Sequence, residues 1–405
     1  VYGFLALTIG KLFFPTFSSY GHLLLTVASF GVGFIMRPLG GIVIGAYADR
    51  AGRKKAMTLT IFLMALGCAL IAFTPTYASI GVAAPIVIVL ARLIQGFSAG
   101  GEVGASTTLL VEHATPANRG YMASWQFASQ GLGVMLGAVV VGLLTFTLST
   151  ESMQSWGWRV PYVIGMLIAP VGMYIRRHLE ESLHISPEDA KAPRESSLKI
   201  VCTQHGRTVL AAILALVGGT TAAYVVTFYM PTYAVRELGL TPSVALFGAA
   251  LTGLLSFALA PFVGKWSDIV GRKPLILWSR IVMAILIYPG FLWLNASPTP
   301  VVLFTVLGVL SIGLVVQTVP GITMLPEMFP KRVRASGMSL VYSVGVALFG
   351  GFAPFVSTWL VNATGSKLAP AWYLVAMTLV SLLGLLWLRD HTGRDIDAAN
   401  AHAPA

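Results

Sequence analysis

Arg92 and Glu102 sit in one mostly apolar run, residues 85–110. A charge at the centre of a membrane-spanning helix costs about 2.5–3.5 kcal/mol on insertion scales, so each needs a partner or a wet cavity. On one helix they stand about 15 Å apart along the axis and roughly 80° apart around it, too far to pair with each other. Arg92 offers five donors in a planar fork that matches a carboxylate. Two readings follow: recognition of an anionic ligand, or a structural ion pair with an acid on another helix. Glu102 is the one acidic residue well inside an apolar run. Burial favours a neutral carboxyl and a nearby cation favours a charged one, so a carboxyl between the two can load and unload a proton. Its other reading is a carboxyl hydrogen-bonded permanently between helices. Gln126 and Gln130 are four residues apart, with Gly133 and Gly137 continuing the face; amides donate to a carboxylate without adding charge. Tyr229 and Tyr233 flank Pro231, where their hydroxyls either close over an anion or anchor at a membrane interface. Lys11 and Arg37 can attract an anion, although Lys11 can equally snorkel outward.

The elements that position these residues are membrane spans. Hydrophobic residues make up 56% of the chain and charged ones 10%, with mean hydropathy +0.80. A soluble domain carries roughly 25% charged residues. Apolar runs at 24–48, 56–74, 85–110, 122–148, 160–175, 208–230, 244–263, 275–294, 300–325, 335–361 and 371–388 predict eleven spans, since about 20 residues cross the hydrocarbon layer. Residues 1–16 read as the outer part of a twelfth. Most of the 26 Lys and Arg residues fall in the loops at 49–55, 112–121, 176–207, 265–273, 327–334 and 389–405. The opposite side holds Arg159, Arg236 and Lys367. Basic loops stay in the cytoplasm, so both ends are expected there. The net charge of +11 is therefore mostly topology. A nucleic-acid surface would need those charges together on one face. Cys68 and Cys202 lie in a span and a loop, which disfavours a disulfide, and no Cys or His spacing suits a metal. An intramembrane enzyme would need paired acids, a His cluster or a nucleophile with its base; one deep carboxylate does not supply them.

The chain repeats itself. Gly45-Ala-Tyr-Ala-Asp49-Arg-Ala-Gly52-Arg53-Lys54 returns as Gly264-Lys-Trp-Ser-Asp268-Ile-Val-Gly271-Arg272-Lys273. Glu112 precedes Arg119 as Glu327 precedes Arg334. Internal repeats of this kind mark secondary transporters, which hold substrate near the midplane between two repeats. The predicted division is a six-helix bundle at 1–178, a polar linker at 179–206, a second six-helix bundle at 207–388 and a tail at 389–405. Gly33, Arg37, Gly41 and Gly45 form one ridge; Arg92, Gly96, Gly100 and Gly104 form another. Small-residue ridges let membrane helices approach closely.

The Gly-x-x-x-Asp-Arg-x-Gly-Arg-Lys loop resembles the loop motif of the major facilitator superfamily, and Arg92-Leu-Ile-Gln-Gly96 resembles its fourth-helix motif. Arg37-Pro-Leu-Gly-Gly41 and Gln95-Gly-Phe-Ser-Ala-Gly-Gly-Glu102 are similar to the metabolite–proton symporters of that superfamily. Gly3-Phe4, Lys11, Phe13-Phe-Pro15, Ser124-Trp-Gln126, Ser129-Gln130 and Tyr229-Met-Pro-Thr-Tyr233 are most similar to its citrate–proton symporters. The resemblance implies an all-α, twelve-helix major facilitator fold with two bundles related by pseudo-twofold symmetry. It implies that Arg92 takes part in coupling. It also implies that Asp49, Arg53, Glu112 and Arg119, mirrored by Asp268, Arg272, Glu327 and Arg334, form charge clusters that shut an inner gate and part when it opens.

The expected protein is a monomeric, multi-pass transporter of a bacterial inner membrane, not an enzyme. It takes up a di- or tricarboxylate, citrate first, with protons and no cofactor. Arg92, Gln126, Gln130, Tyr229, Tyr233 and Lys11 are the expected substrate contacts, and Glu102 the proton carrier. The alternatives are 2-oxoglutarate, tricarballylate, shikimate, a zwitterion such as betaine or proline, or a sensor that binds without translocating.

Overall fold

The computed structural model describes residues 1–14, 19–178 and 197–394. Twelve helices run through them: α1 (Ala6–Phe13), α2 (Ser19–Ala51), α3 (Arg53–Phe73), α4 (Ala83–Glu112), α5 (Arg119–Thr147), α6 (Val160–Met166 continued by Ile168–His178), α7 (Gly206–Arg236), α8 (Pro242–Val270), α9 (Arg272–Ala296), α10 (Pro300–Glu327), α11 (Arg334–Thr364) and α12 (Ala369–Trp387). Short helices in the connections carry no label. Ten of the twelve are long and apolar enough to span a membrane. α1 is too short in the described residues, and α6 is broken at Leu167. The break has a local cause. Pro170 has no N–H to return to the carbonyl of Met166, so the helical ladder lapses there. Large apolar side chains cover the outside, with Phe262 74% and Trp278 66% exposed. That is the surface a bilayer, rather than water, would solvate.

Two helices carry π turns, Val225–Tyr229 in α7 and Val346–Gly351 in α11. Each precedes a proline, Pro231 or Pro354, whose missing N–H frees a carbonyl inside the turn. Thr227 and Phe228 of the first turn and Val346 of the second line the space between the halves.

The glycine ridges pack two ways. On α4, Gly96 meets the Gly33 backbone and Gly100 the Arg37 backbone, so α2 and α4 touch main chain to main chain. Gly41, Gly45 and Gly104 instead receive Ser336, Ser339 and Ser343 of α11, from the other half. α5 and α8 pack along their length through Gly120 with Gly264 and Gly131 with Gly253. The halves α1–α6 and α7–α12 therefore meet along two seams, α5/α8 and α2/α11.

Candidate functional site

The charge repeats converge at one end of the seams, the face of the basic loops. Asp268, at the end of α8, accepts from the backbone N–H of Gly120 (2.7 Å) and Tyr121 (2.9 Å) at the start of α5. Asp49, at the end of α2, accepts from the Ser336 N–H (3.1 Å) and hydroxyl at the start of α11. One bond is the other turned about a twofold axis, and both place a carboxylate at the positive end of a helix dipole. The arginines mirror as well: Arg119 meets Glu327 at 3.1 Å and Arg334 meets Glu112 at 3.7 Å. Arg272 braces Glu327 (3.2 Å) and Asp268 (2.8 Å) within the second half. The Arg53 side chain lies outside the described residues.

The segment after α12 joins this cluster. Asp390 accepts from the Lys273 N–H (2.9 Å) and Thr392 from the Arg272 N–H (3.1 Å), supplying the cap that Gly271 cannot give α9. The Arg394 carbonyl accepts from Arg119 of the first half at 3.4 Å. Burial alone would push the Asp390 carboxyl up. The Thr392 hydroxyl, the Lys273 and Thr392 N–H groups and the Arg272 charge outweigh it and hold it below the usual value.

Above the closed seam lies a cavity of about 370 Å³ between the halves. The first half contributes Phe4 of α1, Arg37 of α2 and Gln130 of α5; the second contributes Tyr224 of α7, Arg280 of α9 and Gln317 of α10. Among its described lining residues none is acidic. Arg37 donates to the Tyr224 hydroxyl at 3.0 Å and stacks on Phe34 with its guanidinium 3.8 Å from the ring centre. Gln130 of the first half and Tyr342 of α11 in the second line the cavity together. Phe4 and Phe228 stack at 5.8 Å at the cavity wall, again one from each half.

The residues singled out from the sequence divide among several places. Gln130 lines the central cavity. Gln126 is buried beside it, off the lining, with Oε1 lacking a partner. Arg92 lines a separate chamber of about 200 Å³ inside the first half, against Tyr2, Cys68 and Tyr162. Its guanidinium donates to Gln95 at 2.8 Å and lies 4.6 Å from the Tyr2 ring centre. Arg37 borders both spaces. Glu102 is half-buried, within electrostatic reach of Arg37 and Tyr342. Tyr229 and Tyr233 border an outer pocket of about 270 Å³ in the second half, with Arg236 and Lys367. Tyr233 donates to the Lys367 carbonyl while accepting from Asn295, each at 2.8 Å. Lys11 is exposed and borders none of the three spaces.

Arg280 escaped the sequence reading. The cost that flagged Arg92 applies equally to it, a lone cation within the run 275–294. Tyr224, Tyr342 and Gln317 carry no such signal, because only helix rotation turns them toward the centre. Among the described residues no group of three or more potential metal ligands occurs.

The sequence model of the Major Facilitator Superfamily matches residues 1–257 and 235–403. A citrate-proton symporter of Salmonella typhi is 37% identical over 403 residues, covering 100% of this chain and 93% of that protein. A proline/betaine transporter of Salmonella typhimurium is 30% identical over 417 residues, covering 100% and 82%. The solved structure of the proton:xylose symporter XylE bound to 6-bromo-6-deoxy-D-glucose superposes with a TM-score of 0.79 at 19% identity, covering 99% and 95%. At that identity the likeness speaks to fold alone.

Proposed function

The chain belongs to the major facilitator superfamily, and from that premise we propose that it imports a di- or tricarboxylate, citrate first, in symport with protons. The observation that carries this reading is the central cavity: both halves line it, guanidiniums enter it, and none of its described lining residues is acidic. Such a lining attracts an anion and disfavours a cation. In this reading Arg37, Gln130 and Tyr224 hold the substrate. Arg37 has an acid within electrostatic reach, Glu102. When Glu102 is charged it holds Arg37; when it takes a proton, Arg37 turns to the substrate. Proton and anion loading are thereby linked.

Translocation then needs the bundles at 1–178 and 207–388 to part at the basic face and close at the other. The basic face is the cytoplasmic one, and the protein sits in a bacterial inner membrane. The clusters of Asp49, Glu112, Arg119, Asp268, Arg272, Glu327 and Arg334 are its inner gate, a bistable interface that ligand binding biases.

The test is uptake of labelled citrate into proteoliposomes with an imposed pH gradient, with and without sodium. Accumulation that follows the pH gradient supports the reading, and Glu102→Gln should then lose accumulation while retaining counterflow. The proline/betaine relative favours one rival, a zwitterion symporter. Uptake of betaine with no competition from citrate would replace the carboxylate reading.

A further inference from the structure

Arg280 is the least compensated charge in the central cavity. It is 3% exposed, on α9. Its guanidinium donates to two backbone carbonyls, Ser381 of α12 at 3.1 Å and Ala215 of α7. Its Nε has no partner, and no charged side chain acts on it among the described residues. Two carbonyls aim a guanidinium without neutralising it. A buried cation left in that state is strongly disfavoured unless an anion reaches it. Arg37, in contrast, has Glu102 within electrostatic reach.

The surroundings of Arg280 are unfinished in the same direction. Gln317 is 2% exposed and its Oε1 lacks a donor; Thr318 Oγ1 is buried and unpartnered. Both line the cavity with Arg280. A cation with an open N–H, an acceptor lacking a donor and an open hydroxyl together suit a carboxyl group that can carry a proton.

We propose that Arg280 is the receptor for a second carboxylate of the substrate, so that a bound molecule bridges Arg37 on the first bundle and Arg280 on the second. This deepens the carboxylate reading above and rests on it. A monocarboxylate satisfies one guanidinium and leaves the other bare. A betaine-like zwitterion brings a quaternary ammonium toward Arg280 and is repelled. The site therefore selects for two or more carboxylates and takes citrate and succinate in preference to butyrate or betaine. Bridging also ties substrate occupancy to the approach of the two bundles, because each end of the ligand belongs to a different one.

The test is equilibrium binding to the purified full chain, with citrate, succinate, butyrate and betaine as probes, in the parent, Arg280→Gln and Arg280→Lys. Arg280→Gln should weaken citrate and succinate by about 10- to 100-fold, the range for losing a charged hydrogen bond. Butyrate should change little, so the gap between succinate and butyrate should close. Arg280→Lys should recover part of the loss. The ligand-free melting temperature of Arg280→Gln should hold or rise, since an uncompensated buried charge is gone. Unchanged citrate affinity in Arg280→Gln overturns the assignment and leaves the carboxylate reading standing. A lowered ligand-free melting temperature with the citrate-induced shift intact also overturns it, and marks Arg280 as a packing residue. Binding of betaine and none of the acids by the parent overturns both readings together.

Discussion

Glu327→Gln should loosen the basic face. The Glu327 side chain is wholly buried and lies between Arg119 of the first bundle (3.1 Å) and Arg272 of its own (3.2 Å). Glutamine keeps the shape and one acceptor but removes the negative charge. Arg272 still has Asp268 at 2.8 Å, whereas Arg119 keeps the Arg394 carbonyl at 3.4 Å. Removing one partner of a buried pair costs about 3–5 kcal/mol. The lower end applies, because the amide still accepts a hydrogen bond. When the bundles part, Arg119 regains water, so the loss falls on the closed state alone. At 1.4 kcal/mol per decade, 3 kcal/mol is about 150-fold in the closed-to-open equilibrium. A face closed about 99% of the time becomes one open roughly 60% of the time. Spin labels at Asn118 and Lys331, both exposed on that face, with Cys68 and Cys202 replaced, report the separation. Double electron–electron resonance should show a new long-distance population in ligand-free Glu327→Gln. Arg272→Gln, which leaves the Arg119–Glu327 pair across the seam in place, should shift it less. A distance distribution identical to the parent's, in protein that is folded, would show that this charge cluster does not hold the face shut.

Arg37→Lys should weaken equilibrium citrate binding about tenfold, because the ammonium loses the fork that serves Tyr224 and a carboxylate together. Arg92→Lys should leave equilibrium citrate binding within about twofold, since its chamber is separate from the central cavity; titration calorimetry on both variants checks the pair. Gly253→Ala would set a methyl 2.5 Å from the Met135 nitrogen in the α5/α8 seam and should cost about 2 kcal/mol or more, seen as a lowered melting temperature. Gly308→Ala, which meets open space, should instead gain about 0.4–1 kcal/mol. Asp390 has a folded-state pKa below its ordinary value of 3.8, so its contribution to the strap that the segment after α12 forms across α9 is complete at neutral pH and lost as pH falls through the folded-state value. Asp390→Asn should therefore mimic strong acid at pH 7 and increase proteolysis after Leu388, whereas mild acidification to about pH 5 should leave the parent strap in place.

Fold class was legible because membrane insertion is a one-dimensional problem. Each backbone polar group must be satisfied within its own span, so a span declares itself as a continuous apolar run. The duplicated Asp and Arg motifs were equally plain, since each works at the end of a helix that the sequence already delimits. The break in α6 near Pro170 and the π turns before Pro231 and Pro354 were not read from the sequence, because Pro38, Pro261, Pro289 and Pro320 sit in helices that continue unbroken. The occupants of the centre were not legible in that way. Arg92 and Arg280 are both lone cations in apolar runs, yet one faces a chamber inside its own bundle and the other faces the space between bundles. Tyr233 and Tyr224 are both tyrosines of α7, yet one is tied to Lys367 and Asn295 while the other meets Arg37. Which side of a helix looks inward depends on its rotation and tilt against neighbours distant in sequence, here set by glycine contacts such as Gly96 on Gly33 and Gly253 on Gly131. The sequence alone determined that this chain spans a membrane as two related halves with mirrored charges at one face. Only the tertiary structure decided which buried charges share the chamber between them, because that follows from helix packing rather than from any property of the single helix.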